Sequence, residues 1–251
     1  MPRLIPSRLA AACALALTFV LGIAVPAFAK GVPVDLRVVG NTGKVLADES
    51  LRTGTASIKT SHKAACLGPG TGGSGKTVTI KGATALGALI QASKFTAALR
   101  PVLASDHYDF GLALCGVGAF VGHETGPSWY LKVNHQNPNL GGDSVKLHPG
   151  DDVLWAFASY PYPDELALSA PKHARAGQAF GVRVFSYDDT GKRTPAAGVR
   201  VTGASSPTGA DGRTTVGLSR PTRLIARHGK DIPSNLAAVC VGGKCPHSSA
   251  R

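Results

Sequence analysis

The stretch WYLKVNHQ-NPNLGGD-SVKLHPGDDVLWAF, Trp129 to Phe157, decides how the first part of this chain folds. Apolar and polar residues alternate at its two ends, the pattern of strands buried on one face. Trp129, Leu131 and Val133 share one face, as do Val153, Trp155 and Phe157; Tyr130, Lys132 and Asn134 point the other way. The apolar set predicts a core face, and the polar set predicts an open one. An Asn- and Gly-rich loop separates the two strands, and His148-Pro149-Gly150-Asp151 is a turn leading into the second.

Working outward, VDLRVV at Val34–Val39 alternates as a strand, NTGK at Asn41–Lys44 is a turn, and Thr55–Thr60 reads as a further strand. ATALGALIQASKF, Ala83–Phe95, has the helical period, with Leu86, Leu89 and Ile90 on one face, Phe95 near its end and Thr84 placed to cap it. DHYDFGLALCGVGAFVG, Asp106–Gly122, predicts one strand with bends or bulges at its glycines. Asp106, His107 and Asp109 there have ligand chemistry, but no further ligand falls at a diagnostic spacing, so a solvated strand end is the better reading. His123-Glu124 lacks the second histidine of a zinc-protease helix.

These elements carry a resemblance. A tryptophan opens a strand ending in Val133-Asn134, Gly150-Asp151 leads into a strand holding Trp155, and the helix reads Thr84-Ala85-Leu86-Gly87-Ala88-Leu89. Over Val34 to Tyr160 the chain is similar to the small β-grasp domain at the C-terminus of transcobalamin and intrinsic factor, also found in bacterial exported proteins. The resemblance implies an α+β sheet-and-helix domain. The family often has glycine after Val-Asn, where this chain has His135, and the helical barrel that completes a cobalamin site is absent. No cofactor is therefore expected.

Tyr160-Pro161-Tyr162-Pro163 marks a change, because two prolines in four residues hold the chain extended. Beyond it, LALSAP, GQAFGVRVFSYD, AAGVRVTGAS, GRTTVGL and TRLIARHG are short alternating runs with turns such as Asp188-Asp189-Thr190-Gly191. This spacing suggests an immunoglobulin-like β-sandwich. Pro195–Val201 and Thr208–Thr214 resemble bacterial Ig-like and carboxypeptidase-regulatory-like modules. The expected fold is mainly β with one helix. Its organisation is a signal peptide at 1–29, a β-grasp domain at 30–160, a proline-rich linker at 161–165, an Ig-like β-sandwich at 166–242 and a tail at 243–251.

The signal peptide is read from Arg3 and Arg8, the uncharged run Leu9–Val25 and the Ala27-Phe28-Ala29 cleavage site. A membrane anchor, or a lipoprotein acylated at Cys13, fits these residues less well. With no second apolar run of spanning length, the mature chain is expected to be secreted, with surface association left open. Cleavage leaves four cysteines, which allow three pairings. Cys66 with Cys115 and Cys240 with Cys245 keeps each bridge inside one domain and is preferred. A zinc site at Cys240, Cys245 and His247 lacks a fourth local ligand.

Gly70-Thr71-Gly72-Gly73-Ser74-Gly75-Lys76-Thr77 matches the phosphate-cradling loop of nucleotide hydrolases. That chemistry requires a helix to open at Lys76-Thr77, whereas Thr77–Lys81 alternates as a strand. The match is read as chance. No G-x-S-x-G elbow or Cys–His motif is present, so a non-enzymatic protein is expected, with an unrecognised hydrolase as a third possibility.

The candidate contact region is Tyr130, Lys132, Asn134 and His135 with the loop to Asp143, able to stack on and hydrogen-bond a small molecule or glycan. The plainer reading, an ordinary connector beside a surface tyrosine, carries more weight. The formal charge of +12, or +10 once residues 1–29 leave, suits an anionic cell-wall polymer, polysaccharide or membrane surface, although Lys and Arg spread without any block read more readily as solubilising charge, and no specific nucleic-acid partner is expected. Ligand or surface binding is the leading functional expectation, and a structural or adhesive role held by charge is the alternative.

Overall fold

A computed structural model describes residues 31–246. The expected signal peptide, Cys13 and His247 lie outside the described residues. The described chain is mainly β with one α-helix, α1 (Ala85–Ser93). Its strands run β1 (Val32–Val39), β2 (Val45–Thr53), β3 (Ala56–Lys59), β4 (Thr77–Ile80), β5 (Val102–Tyr108), β6 (Gly111–Val117), β7 (Phe120–Val121), β8 (Ser128–Val133) and β9 (Asp152–Ala158). Then follow β10 (Glu165–Ser169), β11 (His173–Ala174), β12 (Ala179–Tyr187), β13 (Arg193–Pro195), β14 (Arg200–Val201), β15 (Arg213–Gly217), β16 (Thr222–Leu224), β17 (Ala226–Arg227) and β18 (Ala237–Val241).

Two hydrophobic cores organise these elements. In the first, a four-stranded sheet has the order β2-β1-β9-β8. The central pair β1 and β9 is parallel, and each outer strand is antiparallel to its neighbour. A parallel pair needs a long crossover, and the chain between β1 and β9 uses it to lay α1 on one face of the sheet. Alanine and leucine favour the helix. Thr84 accepts a hydrogen bond at Oγ1 from the Gly87 amide at 3.0 Å, satisfying a free donor of the first turn.

Trp129, Leu131, Val153, Trp155 and Phe157 are buried in this core with Leu86, Leu89 and Ile90. Trp155 Nε1 donates to the Ala85 carbonyl at 3.2 Å, and Trp129 Nε1 to the Phe120 carbonyl at 3.1 Å. The tryptophans are scaffold.

Several elements differ from expectation. Asp106–Gly122 is not one bent strand: Gly111 (φ +110°) and Gly118 (φ +60°) turn the chain back on itself, giving the sheet β5-β6-β7. Strand β2 is a full partner of β1, although its run VLADESLRT is broken by charge. Phe95 lies beyond the helix and is exposed. Glu165, assigned by sequence to the linker, opens β10 and is buried.

The second core lies between two groups of strands. In one, β12 pairs with β10 along one edge and with β13 and β15 along the other. The other holds β11-β18-β16 and the pair β14-β17, with β11 parallel to β18. Strand β18, AAVCV, lies beyond the short alternating runs picked out in the sequence.

Both disulfides are present, Cys66–Cys115 and Cys240–Cys245. The first pins the Gly-rich segment to β6 across 49 residues of sequence. Closing a loop of that size stabilises by about 4 kcal/mol in the chain-entropy model. The double substitution Cys66→Ala/Cys115→Ala should therefore lower the urea-unfolding free energy by about that amount. An unchanged midpoint would show that the bridge contributes little.

Candidate functional site

The sheet β2-β1-β9-β8 has a second face, opposite α1, and the residues marked by sequence as a contact region lie there. They are not open to solvent. Tyr130 and Lys132 are buried, 3% and 0% exposed, because the second half of the chain covers this face. The polar residues of an alternating strand need not face water when another layer supplies partners.

Those partners are specific. Tyr130 stacks on Tyr162 with ring centroids 4.0 Å apart, and its hydroxyl donates to Asp189. Lys132 Nζ donates to the carbonyls of Asp188 (2.7 Å) and Tyr187 (3.0 Å). A small apolar cluster of Val39, Tyr130, Leu154, Ala156 and Ile232 fills the space beside them. Burial first, then the Asp189 carboxylate, raises the Tyr130 phenol above its ordinary range. Burial likewise lowers the Lys132 ammonium, against the attraction of the acids around it.

At the centre lies Glu165, 1% exposed. Arg37, from β1, binds its Oε1 through Nη2, and Arg37 Nη1 donates to the carbonyls of Pro233 (2.7 Å) and Leu166 (3.1 Å). Lys132 Nζ stands 3.7 Å from Glu165 Oε2. His135 Nδ1 is 3.0 Å from Oε1, near but poorly aligned for a hydrogen bond. Burial alone would raise the Glu165 carboxyl; His135, Arg37 and Lys132 outweigh it and hold the group below its ordinary value. Asp48 and Asp152 shift the other way, both raised chiefly by burial.

Asn134 and His135 turn the chain out of β8 with φ of +50° and +70°, in the left-handed region that non-glycine residues avoid. Asn134 is held by Asp151, which accepts from its Nδ2 at 2.9 Å, and its Oδ1 accepts from the Asp152 amide at 3.0 Å. The His135 ring stacks on Tyr187 at 3.8 Å. This accounts physically for a position where glycine is the easier residue: the imidazole contacts offset the backbone strain.

His135, Asp152 and Glu165 also bring ligand atoms within 4.8 Å of one another, a grouping sequence spacing could not reveal. The donor set suits zinc in type. It does not suit it in charge, because Arg37 already holds Glu165 and Lys132 faces it, so an entering dication would meet two fixed cations. The arrangement acts as a clasp between the two cores.

Elsewhere, the nucleotide-loop look-alike runs into strand β4, not a helix. Its glycines allow close packing: a side chain at Gly72 would sit 2.2 Å from the His62 carbonyl oxygen. Asp106 fastens this loop by accepting from the Ser74 amide and hydroxyl, both at 2.6 Å, and those bonds hold its carboxyl down at about 2.

Charge is distributed unevenly. Residues 31–165 carry 11 Lys and Arg against 11 Asp and Glu, whereas residues 166–246 carry 12 against 4, a net +8. Of those 12 cations all but Arg183 and Arg223 are exposed; of the acids, the Asp189 carboxylate is engaged at the clasp, and that of Asp188 accepts from Thr190 and the Lys192 amide within its own turn.

No protein-family model, curated protein or solved structure matches the chain.

Two outcomes test the clasp. Glu165→Gln leaves Arg37 and Lys132 buried without their counter-charge and should cost about 3–5 kcal/mol at neutral pH. A carboxyl lowered on folding stabilises above its unfolded value and loses that contribution as pH falls. The gap between wild type and variant should therefore close below the ordinary glutamate value of about 4.3. At the turn, His135→Ala keeps the strain and loses the ring contacts, so it should destabilise more than His135→Gly, as read by thermal unfolding. The reverse order would show that the left-handed backbone carries no strain at this position.

Proposed function

We propose that this chain is an exported, non-enzymatic binding protein in which a transcobalamin-like β-grasp module is clasped to an immunoglobulin-like module that attaches it to an anionic surface polymer. The sheet order β2-β1-β9-β8, with its parallel central pair and one packed helix, supports the first assignment. Two groups of mostly antiparallel strands around one core support the second. The disulfides fit an oxidising compartment, and no helix among the described residues is long and apolar enough to cross a membrane.

The observation that carries the reading is the charge. A net +8 resides in residues 166–246, where ten cations are exposed, while residues 31–165 balance to zero. Scattered solubilising charge would divide between the two parts. A surface of one sign instead raises the local concentration of a polymer of the other. The small-ligand alternative loses ground because Tyr130 and Lys132, its central residues, are spent on the clasp.

The test is retention of the full-length exported protein on an anionic matrix. At about 50 mM salt it should be held, and at about 0.5 M released, since a few ångströms of Debye length screen exposed charge. Passage without retention at low salt sinks the proposal.

A further inference from the structure

The outer face of the β10-β12-β13-β15 sheet carries a row of arginines with a register that structural needs alone do not explain. Val182 and Val184 of β12 point into the core, so Arg183, Phe185 and Tyr187 point outward. Arg183 lies directly opposite Arg213 of β15, and Tyr187 directly opposite Arg193 of β13. Like charges directly opposed across a strand pair destabilise it. Here the pair is kept, and a third arginine is added on the same face.

The side chains are also held in place. The guanidinium carbons of Arg183 and Arg193 each lie 4.6 Å from the centroid of the Phe185 ring, so one aromatic group steadies two cations. Arg183 Nε donates to the Asp211 carbonyl at 3.2 Å, which further fixes that guanidinium. Among the described residues the row's ion pair is Arg213 with Asp211, at 3.6 Å, and both side chains of this pair are more than half exposed, where such a contact is weak. Arg193 forms no ion pair among the described residues.

A groove passes beside the row, lined by Ser169, Pro171, Gly181, Arg183, Arg213 and Thr215. Gly181 sits in the middle of β12 opposite Thr215, and a side chain there would meet no atom within 4 Å. Glycine weakens a strand interior, and the open space above this one leaves the backbone accessible to a ligand. At its other end the face is closed: Tyr187 stacks on His135 and Glu165 is buried in the clasp. The open portion carries Arg183 and Arg213 among uncharged residues.

We infer that this groove is the polymer-binding site and that its occupant is a linear phosphodiester polymer lying along the sheet face. The inference rests on the polyanion reading above and adds its location and ligand class. Guanidinium forks bind phosphate oxygens in paired hydrogen bonds, and a polymer with the anion in its backbone presents successive charges along one line. The opposed Arg183 and Arg213 grip one phosphodiester, Arg193 takes another, and Phe185 keeps the forks aimed between them. Binding offsets the repulsion that the empty sheet carries.

The experiment compares three forms of the full-length exported protein by fluorescence anisotropy, using labelled poly(glycerol phosphate). These are wild type, Arg183→Gln/Arg193→Gln/Arg213→Gln, and a control losing equal charge on exposed cations outside the row, Arg200→Gln/Arg220→Gln/Lys230→Gln. The groove triple should weaken binding at least 30-fold and reduce the slope of log affinity against log salt by roughly 2–3. The control should lose only a few-fold. Phe185→Ala, which keeps every charge, should still weaken binding about threefold. Arg213→Gln alone should raise the melting temperature while weakening binding, which separates loss of the site from loss of the fold. Equal losses in both triples would overturn the site and leave the diffuse-charge reading standing. No binding by wild type would overturn both. Tighter binding of a polycarboxylate such as polygalacturonate, or of single-stranded DNA, would overturn the phosphodiester assignment.

Discussion

The structure turns on one buried carboxylate. Glu165 lies between Arg37 and Lys132, from two strands of the first sheet, and His135, from the turn after β8. Removing charges from water costs several kcal/mol apiece, and mutual attraction recovers that only when geometry and hydrogen bonds are nearly complete. Arg37 and Lys132 meet the condition in part, donating also to four carbonyls of the second half at Leu166, Pro233, Tyr187 and Asp188, while Arg37 Nε and Glu165 Oε2 are buried without a hydrogen bond. An apolar contact would tolerate sliding or rotation. This one does not, because any shift strands a cation in a dry interface. The clasp therefore contributes more to the uniqueness of the arrangement than to its net stability.

The turn after β8 shows how such a constraint reaches back into local structure. A left-handed backbone at residue 135 is easiest for glycine, and histidine there costs on the order of 1 kcal/mol. The imidazole recovers that by stacking on Tyr187 and approaching Glu165. Local strain and long-range contact are thus balanced against each other at a single residue.

Much of the scaffold was legible in the sequence. Alternation identified the core faces of β8 and β9, the Thr84 cap and Leu86, Leu89 and Ile90 identified the helix, and the strand pattern of Thr77–Ile80 exposed the nucleotide motif as accidental. The cysteine pairing followed from keeping bridges local. What was not legible is what covers the polar side of a strand. Period-two alternation divides residues between two faces, but it says nothing of whether the polar face meets water or a second layer. Lys132 meets Glu165, 33 positions on, and Arg37 meets it from 128 positions away, with no pattern to connect them. Strand β2 was missed for a related reason: Asp48, Glu49 and Arg52 break its alternation because part of it also faces that second layer. Counting charge over the whole chain likewise concealed that all of the described excess belongs to one half.

The short passage from Tyr160 to Glu165 has a mechanical meaning. A proline-rich connector between two independent bodies would behave as a tether, letting one swing while the other stays anchored. Here the connector delivers Glu165 directly into the interface, and Tyr162 stacks on Tyr130 on the way. A pull on the first body while the second is held would load the clasp in shear before it stretched the connector. Several short polar contacts would then have to break together. The molecule would transmit force as a stiff bracket, and the loops of one body would keep a fixed bearing relative to the other.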